Sequence, residues 1–129
     1  MEDSAFSDEF CRFLQTSVPS VTAAELLLSL AEQPEQWCIV KDLVAKLPVG
    51  GNFTEGEAWT YLQLQARDLV AIGPDKRVQY RPASAGRDAL VRTLAQAYNE
   101  RPVTLIRVIY ALRDSRIQSF ADAFRIRKA

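Results

Sequence analysis

Three polar side chains recur along one side of a helix predicted between Thr54 and Arg67. At about 100° per residue, Thr60, Gln63 and Arg67 fall together, opposite the apolar positions of the same segment. Gln can pair with an adenine edge, Arg with guanine or phosphate, and Thr with a base or a phosphate. This outward stripe (Thr60, Gln63 and Arg67) suits a nucleic-acid groove. An ordinary solvated helix face has the same composition, and the sequence leaves both interpretations open.

Two consecutive cations, Lys76 and Arg77, follow in a segment with turn chemistry. The sequence Gly73–Arg77 predicts a hairpin turn in which Pro74 sets φ and Asp75 holds the turn, with both cations at its tip. Cations at a hairpin tip suit a phosphate contact. They equally suit an exposed strand edge that must avoid aggregation.

The elements around these side chains are predicted from capping and periodicity. Thr54 and Glu57 have the spacing of a capping box, which begins the helix and makes Thr54 a further candidate contact. The apolar run Leu69–Ile72 predicts a buried strand, with Leu69 fully buried between helix and sheet. Val78–Arg81 alternates as a half-buried return strand should.

A family resemblance rests on this same stretch. Leu64, then Asp68-Leu69-Val70, then the run Tyr80–Arg87 resemble the helix, hairpin and following helix of winged-helix regulators of the multiple-antibiotic-resistance type (MarR-like). The resemblance covers roughly residues 37–90. Asp68 stands where that family usually has glycine, and Pro82-Ala83 where Leu-Thr is common.

The resemblance implies a fold, a partner and a role. The fold class is mainly α with a small β-sheet, a winged helix-turn-helix with extra N- and C-terminal helices. The implied partner is double-stranded DNA and the implied role is transcriptional regulation; nothing in the sequence indicates an effector. The candidate DNA contacts are Thr54, Thr60, Gln63, Arg67, Lys76 and Arg77.

Aromatic residues dominate the predicted first helix. Ser4 or Ser7 can cap it, it runs to about Thr16, and one face carries a stripe of large apolar side chains: Phe6, Phe10, Phe13 and Leu14. This stripe must bury either against the domain's own core or against a partner subunit.

Three shorter elements precede the outward stripe. A capping box at Thr22 and Glu25 predicts a second helix from Ala23 to about Gln33. Trp37–Val40 is predicted as a short strand and Lys41–Leu47 as a short helix. The connection that follows, Pro48–Phe53, is longer than is usual in a helix-turn-helix.

The C-terminal third is predicted to be helical. Ser84 can cap a helix to about Asn99, and Asp114 or Ser115 can cap the last one. Between them, Val103–Leu112 is apolar almost all round, so it should be buried on several sides. In so small a chain, one of those sides suits a second subunit, and we expect a homodimer.

The composition indicates the number of domains and the general class of protein. The 129 residues are 48% hydrophobic and 25% charged, which indicates one globular domain over residues 1–129. Within it we expect an N-terminal helix in 1–20, the winged-helix core in 21–83 and the C-terminal helices in 84–129. No apolar run approaches the ~20 residues of a membrane span, and the acidic start lacks a signal-peptide pattern. We therefore expect no membrane association and a cytoplasmic location.

The charge distribution and the residue types present favour some functions over others. Net charge is zero, with −6 in residues 1–40, +1 in 41–83 and +5 in 84–129, so any DNA binding must rely on a local patch. The chain has no histidine, no phosphate loop and no metal-ligand spacing, so we expect neither an enzyme nor a cofactor. Two hypotheses remain: a DNA-binding regulator, and a winged-helix module that binds protein and does not read DNA.

Overall fold

The computed structural model describes residues 6–47 and 54–112. Within these residues the fold is mainly helical with one small antiparallel sheet, as the sequence predicts at this coarse level. The elements in chain order are α1 (Asp8–Ser17), α2 (Val21–Ala31), β1 (Cys38–Ile39), α3 (Val40–Lys46), α4 (Glu55–Gln65), β2 (Val70–Ile72), β3 (Arg77–Tyr80), α5 (Ala85–Glu100) and α6 (residues 102–112).

The sheet has three strands in the order β1-β3-β2, with both pairings antiparallel. Val78, at the centre, lies opposite Ile72 on one side and Cys38 on the other. β1 is shorter than the predicted Trp37–Val40 strand. Val40 is the first residue of α3, and its N–H donates to the Lys76 carbonyl at 3.3 Å, so the chain turns into the helix directly at the sheet edge.

Side-chain caps decide where the first two helices begin. Ser7 caps α1, its Oγ accepting from the Phe10 amide at 3.1 Å. The prediction for α2 was wrong: Ser20, not Thr22, is the cap, and its Oγ accepts from the Ala23 amide at 3.1 Å. Thr22 and Glu25 lie inside the helix, so this pair does not form a capping box at its N-terminus.

The aromatic stripe of α1 packs into the chain's own core. Phe10 and Phe13 are each 1% exposed, with ring centroids 6.0 Å apart. α1 contacts α4 and α5, so it fills the space behind both. Of the two alternatives for this stripe, the domain's own core accounts for it, and a partner subunit is not needed to cover these rings.

The turn from α4 into the sheet is anchored by two buried side chains. Leu69 is 0% exposed, which confirms its predicted burial, and its N–H donates to the Gln65 carbonyl at 2.9 Å. Gln65 is also 0% exposed, and its Nε2 donates to the carbonyls of Ser17 at 3.1 Å and Ala23 at 3.4 Å. The end of α4 is thereby tied to the junction of α1 and α2.

Some predicted features lie outside the described residues. They are the cap candidate Ser4, the connection Pro48–Phe53 and the last helix from Asp114 or Ser115. Within the described ranges, none of the helices combines the length and the apolar character that crossing a bilayer requires.

The burial of Leu69 predicts a large and local effect on stability. Leu69→Ala removes a fully buried side chain between α4 and the sheet, and we expect the free energy of unfolding to fall by about 2–5 kcal/mol in urea denaturation. Ile72→Ala, on β2 and 43% exposed, is the matched control and should cost about 1 kcal/mol or less. Equal losses in the two variants would contradict the assignment of Leu69 to the core.

Candidate nucleic-acid interface

The outward stripe of α4 lies exposed to solvent. Thr60 and Gln63 project from the helix, and the Thr60 hydroxyl donates to the Gly56 carbonyl at 3.2 Å. Arg67 is exposed as well, but it does not belong to the helix as predicted. α4 ends at Gln65, because the buried anchors at Gln65 and Leu69 turn the chain toward the sheet, so Arg67 lies on that turn.

Thr54 is committed to helix capping. The predicted capping box is confirmed: the Thr54 Oγ1 accepts from the Glu57 amide at 3.1 Å, while the Thr54 N–H donates to Glu57 Oε1 at 3.0 Å. The hydroxyl also donates to the same carboxylate oxygen at 3.2 Å. These bonds occupy the polar atoms of Thr54 and place a carboxylate beside it, which makes it the weakest of the candidate DNA contacts.

The hairpin turn differs from the prediction. Its central residues are Asp75 and Lys76, with φ of 59° and 56°, and the Arg77 N–H donates to the Pro74 carbonyl at 3.3 Å. Two positive φ values define a type I′ turn, whose twist matches that of the flanking strands. Pro74 therefore precedes the central pair and does not set its φ. Lys76 lies at the tip as predicted, whereas Arg77 begins β3, still exposed.

Trp37 packs against the hairpin directly on the backbone of Gly73. A Cβ added at Gly73 would lie 2.7 Å from the Trp37 ring, well inside van der Waals contact. The absence of a side chain at Gly73 lets the indole lie directly on the backbone at the end of β2. The sequence placed Trp37 in a strand, and this contact could not have been found from local patterning.

A polar network fastens the hairpin to the start of α5. The Tyr80 hydroxyl donates to Asp88 Oδ1 at 2.8 Å, and Arg92 Nε lies 2.9 Å from Asp88 Oδ2. Arg87 Nε lies 3.0 Å from Asp68 Oδ2. This contact with Arg87 neutralises the carboxylate of Asp68, which is next to Arg67 in the chain. Asp68 therefore opposes phosphate binding less than the sequence alone indicates.

Two further cations lie near the outward stripe and are not among the contacts predicted from the sequence. Lys41 and Lys46 are exposed on α3, which packs against α4. The apolar face of α3, with Val40 and Leu43 buried, is the signal that could have assigned both lysines to the solvent side. They add positive charge on α3, the element next to the outward stripe. Glu55 and Glu57 supply negative charge in the first turn of α4.

The part of the chain that the structure describes holds no cluster of potential metal ligands. There, no group of three or more Asp, Glu, Cys or His side chains converges closely enough to hold a metal ion. Residues 54–80 do bring together an exposed polar helix face with Thr60 and Gln63, the exposed cation Arg67 on the turn after α4, and a hairpin with the exposed cations Lys76 and Arg77. This set can make hydrogen bonds and ion pairs with a polyanion.

Comparison of the chain with protein-family models, with curated protein sequences and with solved structures finds no match. The arrangement of elements and the chemistry of the exposed side chains are therefore the observations on which a function rests.

The Tyr80–Asp88 bond predicts a pH-dependent contribution to stability. Burial, and then the bond to Asp88, raise the pKa of Tyr80 well above its ordinary value. A raised folded-state pKa gives stability that is complete below the unfolded value of about 10 and is lost as pH rises through the folded value. Tyr80→Phe should therefore cost about 1–3 kcal/mol at pH 7, and this deficit should shrink in urea denaturation as pH is raised past 10.

Ile72→Ala is the control for that experiment, because Ile72 is 43% exposed on β2 and carries no titratable group. Its stability relative to the wild type should stay nearly constant over the same pH range. A Tyr80→Phe deficit that does not change with pH would contradict the proposed linkage.

Proposed function

We propose that the chain is a winged-helix DNA-binding protein that acts as a dimeric transcriptional regulator in the cytoplasm. The observation that carries the proposal is the combination of an exposed polar stripe on α4 with a cationic hairpin directly after it. The order α2, β1, α3, α4, β2, β3 and the strand order β1-β3-β2 support it. They are the order and pairing that a helix-turn-helix followed by a hairpin wing requires.

In this proposal α4 enters the major groove and the hairpin lies along the backbone. Gln63 and Arg67 face base edges, since amide and guanidinium groups are the side chains that pair with adenine and guanine. Lys76 at the turn and Arg77 behind it contact phosphate. The lysines of α3, Lys41 and Lys46, add phosphate contacts on the other flank.

The charge balance makes the contact area local. The whole chain has a net charge of zero, so it gains no long-range attraction to a polyanion. Affinity must come from the cations of residues 41–83 at short range, and it should be sensitive to ionic strength.

A protein-interaction module that does not read DNA is the second candidate. Glu55, Glu57 and Asp75 place carboxylates at the start of α4 and at the hairpin tip, beside the cations. A mixed-charge surface of this kind suits a protein partner better than a phosphate backbone. Absence of duplex binding at low salt would favour this candidate.

The two halves of the interface should respond differently to mutation. Lys76→Ala with Arg77→Ala should weaken binding to all duplexes alike and reduce the salt slope by about two units per subunit, because two phosphate contacts are lost. Gln63→Ala should cost about 1–3 kcal/mol on a selected site and little on random DNA. Fluorescence anisotropy over a salt series measures both.

A matched control separates local contacts from bulk charge. Arg12→Ala with Arg101→Ala removes the same two charges from exposed positions on α1 and after α5. This variant should bind duplexes like the wild type. If the wild type binds no duplex even at low salt, or if both double variants lose affinity equally, the proposed interface is wrong.

We propose α6 as the dimer contact. Leu105, Val108 and Ile109 are buried within the chain, whereas Val103 and Tyr110 are 66% and 51% exposed. These two residues are seven apart, so they share one helix face. Sedimentation velocity at micromolar concentration should give a dimer, and Val103→Asp with Tyr110→Asp should shift it to monomer. Ile72→Asp, exposed on the hairpin, should leave the dimer intact; a wild-type monomer would refute the proposal.

A further inference from the structure

The turn that carries Arg67 is held in place by the backbone of the segment that follows the hairpin. The Ala83 N–H donates to the Asp68 carbonyl at 2.8 Å, and the Arg81 N–H donates to the Leu69 carbonyl at 2.9 Å. Leu69, at the end of this turn, is buried in the core. Main-chain bonds and packing therefore fix the path of the chain through Arg67 and Asp68, and the side chain of Asp68 is not needed for it.

The side chain of Asp68 has a charged partner from a different element. Its Oδ2 lies 3.0 Å from Nε of Arg87, which belongs to α5. The Asp68 and Arg87 side chains are 28% and 38% exposed, so water and salt screen this pair only in part. An ion pair of this exposure adds little to the stability of a fold. Its main effect is on the local charge around Arg67, which is adjacent to Asp68 in the chain.

The end of α4 lacks a cation of its own. The C-terminus of a helix carries a partial negative charge, and the last turn of α4 contains no basic residue. Asp68 adds a full negative charge three residues after Gln65, where α4 ends. Arg67 also follows this end, but in the proposed interface its guanidinium faces base edges and cannot compensate this charge. Arg87 supplies the compensating cation.

Arg87 occupies a position that its own helix does not favour. It is the third residue of α5, where the helix terminus carries a partial positive charge and a cation is unfavourable. The helix is capped by Ser84, whose Oγ accepts from the Arg87 amide at 3.2 Å, so the arginine side chain is not needed for the helix start. The contact with Asp68 accounts for a cation at this position.

We propose that Arg87 is a positioning residue for duplex binding, which cancels the charge of Asp68 so that Arg67 faces the duplex without a competing carboxylate. The inference rests on the proposed function, because it concerns the affinity of the same interface. Arg87 acts through Asp68 and does not itself contact the duplex. Without Arg87, an uncompensated carboxylate next to Arg67 attracts its guanidinium and repels phosphate.

A double-mutant cycle, measured by fluorescence anisotropy on one duplex, distinguishes this role from a direct contact. Arg87→Gln should weaken binding about two- to fivefold at low salt, the effect of one unit charge at about 10 Å in a hydrated interface. Asp68→Asn removes the carboxylate and should bind at least as tightly as the wild type. The double variant has the net charge of the wild type and no carboxylate beside Arg67, so its affinity should return to within about twofold of the wild type.

The salt dependence gives a second readout, which a purely structural role would not change in this way. A direct phosphate contact by Arg87 would lower the salt slope by about one unit per subunit on its removal, and Asp68→Asn would not restore it. In the proposed role the double variant has the slope of the wild type. Arg101→Gln removes the same charge from an exposed position directly after α5 and should leave the affinity unchanged. Urea denaturation shows that each variant is folded.

The outcomes separate this inference from the proposed function. If the wild type binds no duplex at low salt, the proposed function fails and the inference fails with it. If the wild type binds and Arg87→Gln binds equally well, the inference alone is wrong. It is also wrong if the double variant stays as weak as Arg87→Gln, which would make Arg87 a direct contact, or if Arg101→Gln weakens binding as much as Arg87→Gln.

Discussion

The turn at the end of α4 is the constraint on which the rest of the structure depends. Gln65 and Leu69 are both 0% exposed and lie four residues apart, so one turn of chain is held in the core at both ends. Gln65 donates to carbonyls at the α1–α2 junction, and Leu69 connects α4 to the sheet. This anchoring holds the inner side of α4 against the core, so its opposite side remains exposed to solvent. The exposure of Thr60 and Gln63 follows from this anchoring.

The hairpin is positioned by two contacts that differ in kind. Packing of the Trp37 ring on Gly73 is a close steric fit to a residue that has no side chain. The bond of Tyr80 to Asp88 is polar, and it links β3 to α5 across a partly buried site. Together they restrain the hairpin at its outer and inner ends, so the cation Lys76 is presented on a supported turn and not on a free loop.

Two chemically different surfaces result from this arrangement. The cations of the turn and hairpin lie on one set of elements, and the exposed acids Glu32 and Glu35 lie at the end of α2 and in the chain beyond it. The zero net charge of the whole chain conceals this separation. A single balance of charge is therefore a poor guide to partners here, because short-range pairing depends on local charge density.

The sequence alone determined the helical character, the short strands, the Thr54 capping box and the burial of Leu69, since these follow from local periodicity and capping chemistry. It placed the cap of α2 at Thr22 and not at Ser20, because both serines and threonines satisfy the same local pattern. Only the tertiary structure decided the type I′ turn, the pairing of Asp68 with Arg87 and the bond of Tyr98 to Glu25. Each of these depends on which distant segment the fold brings into contact, and no local pattern encodes that.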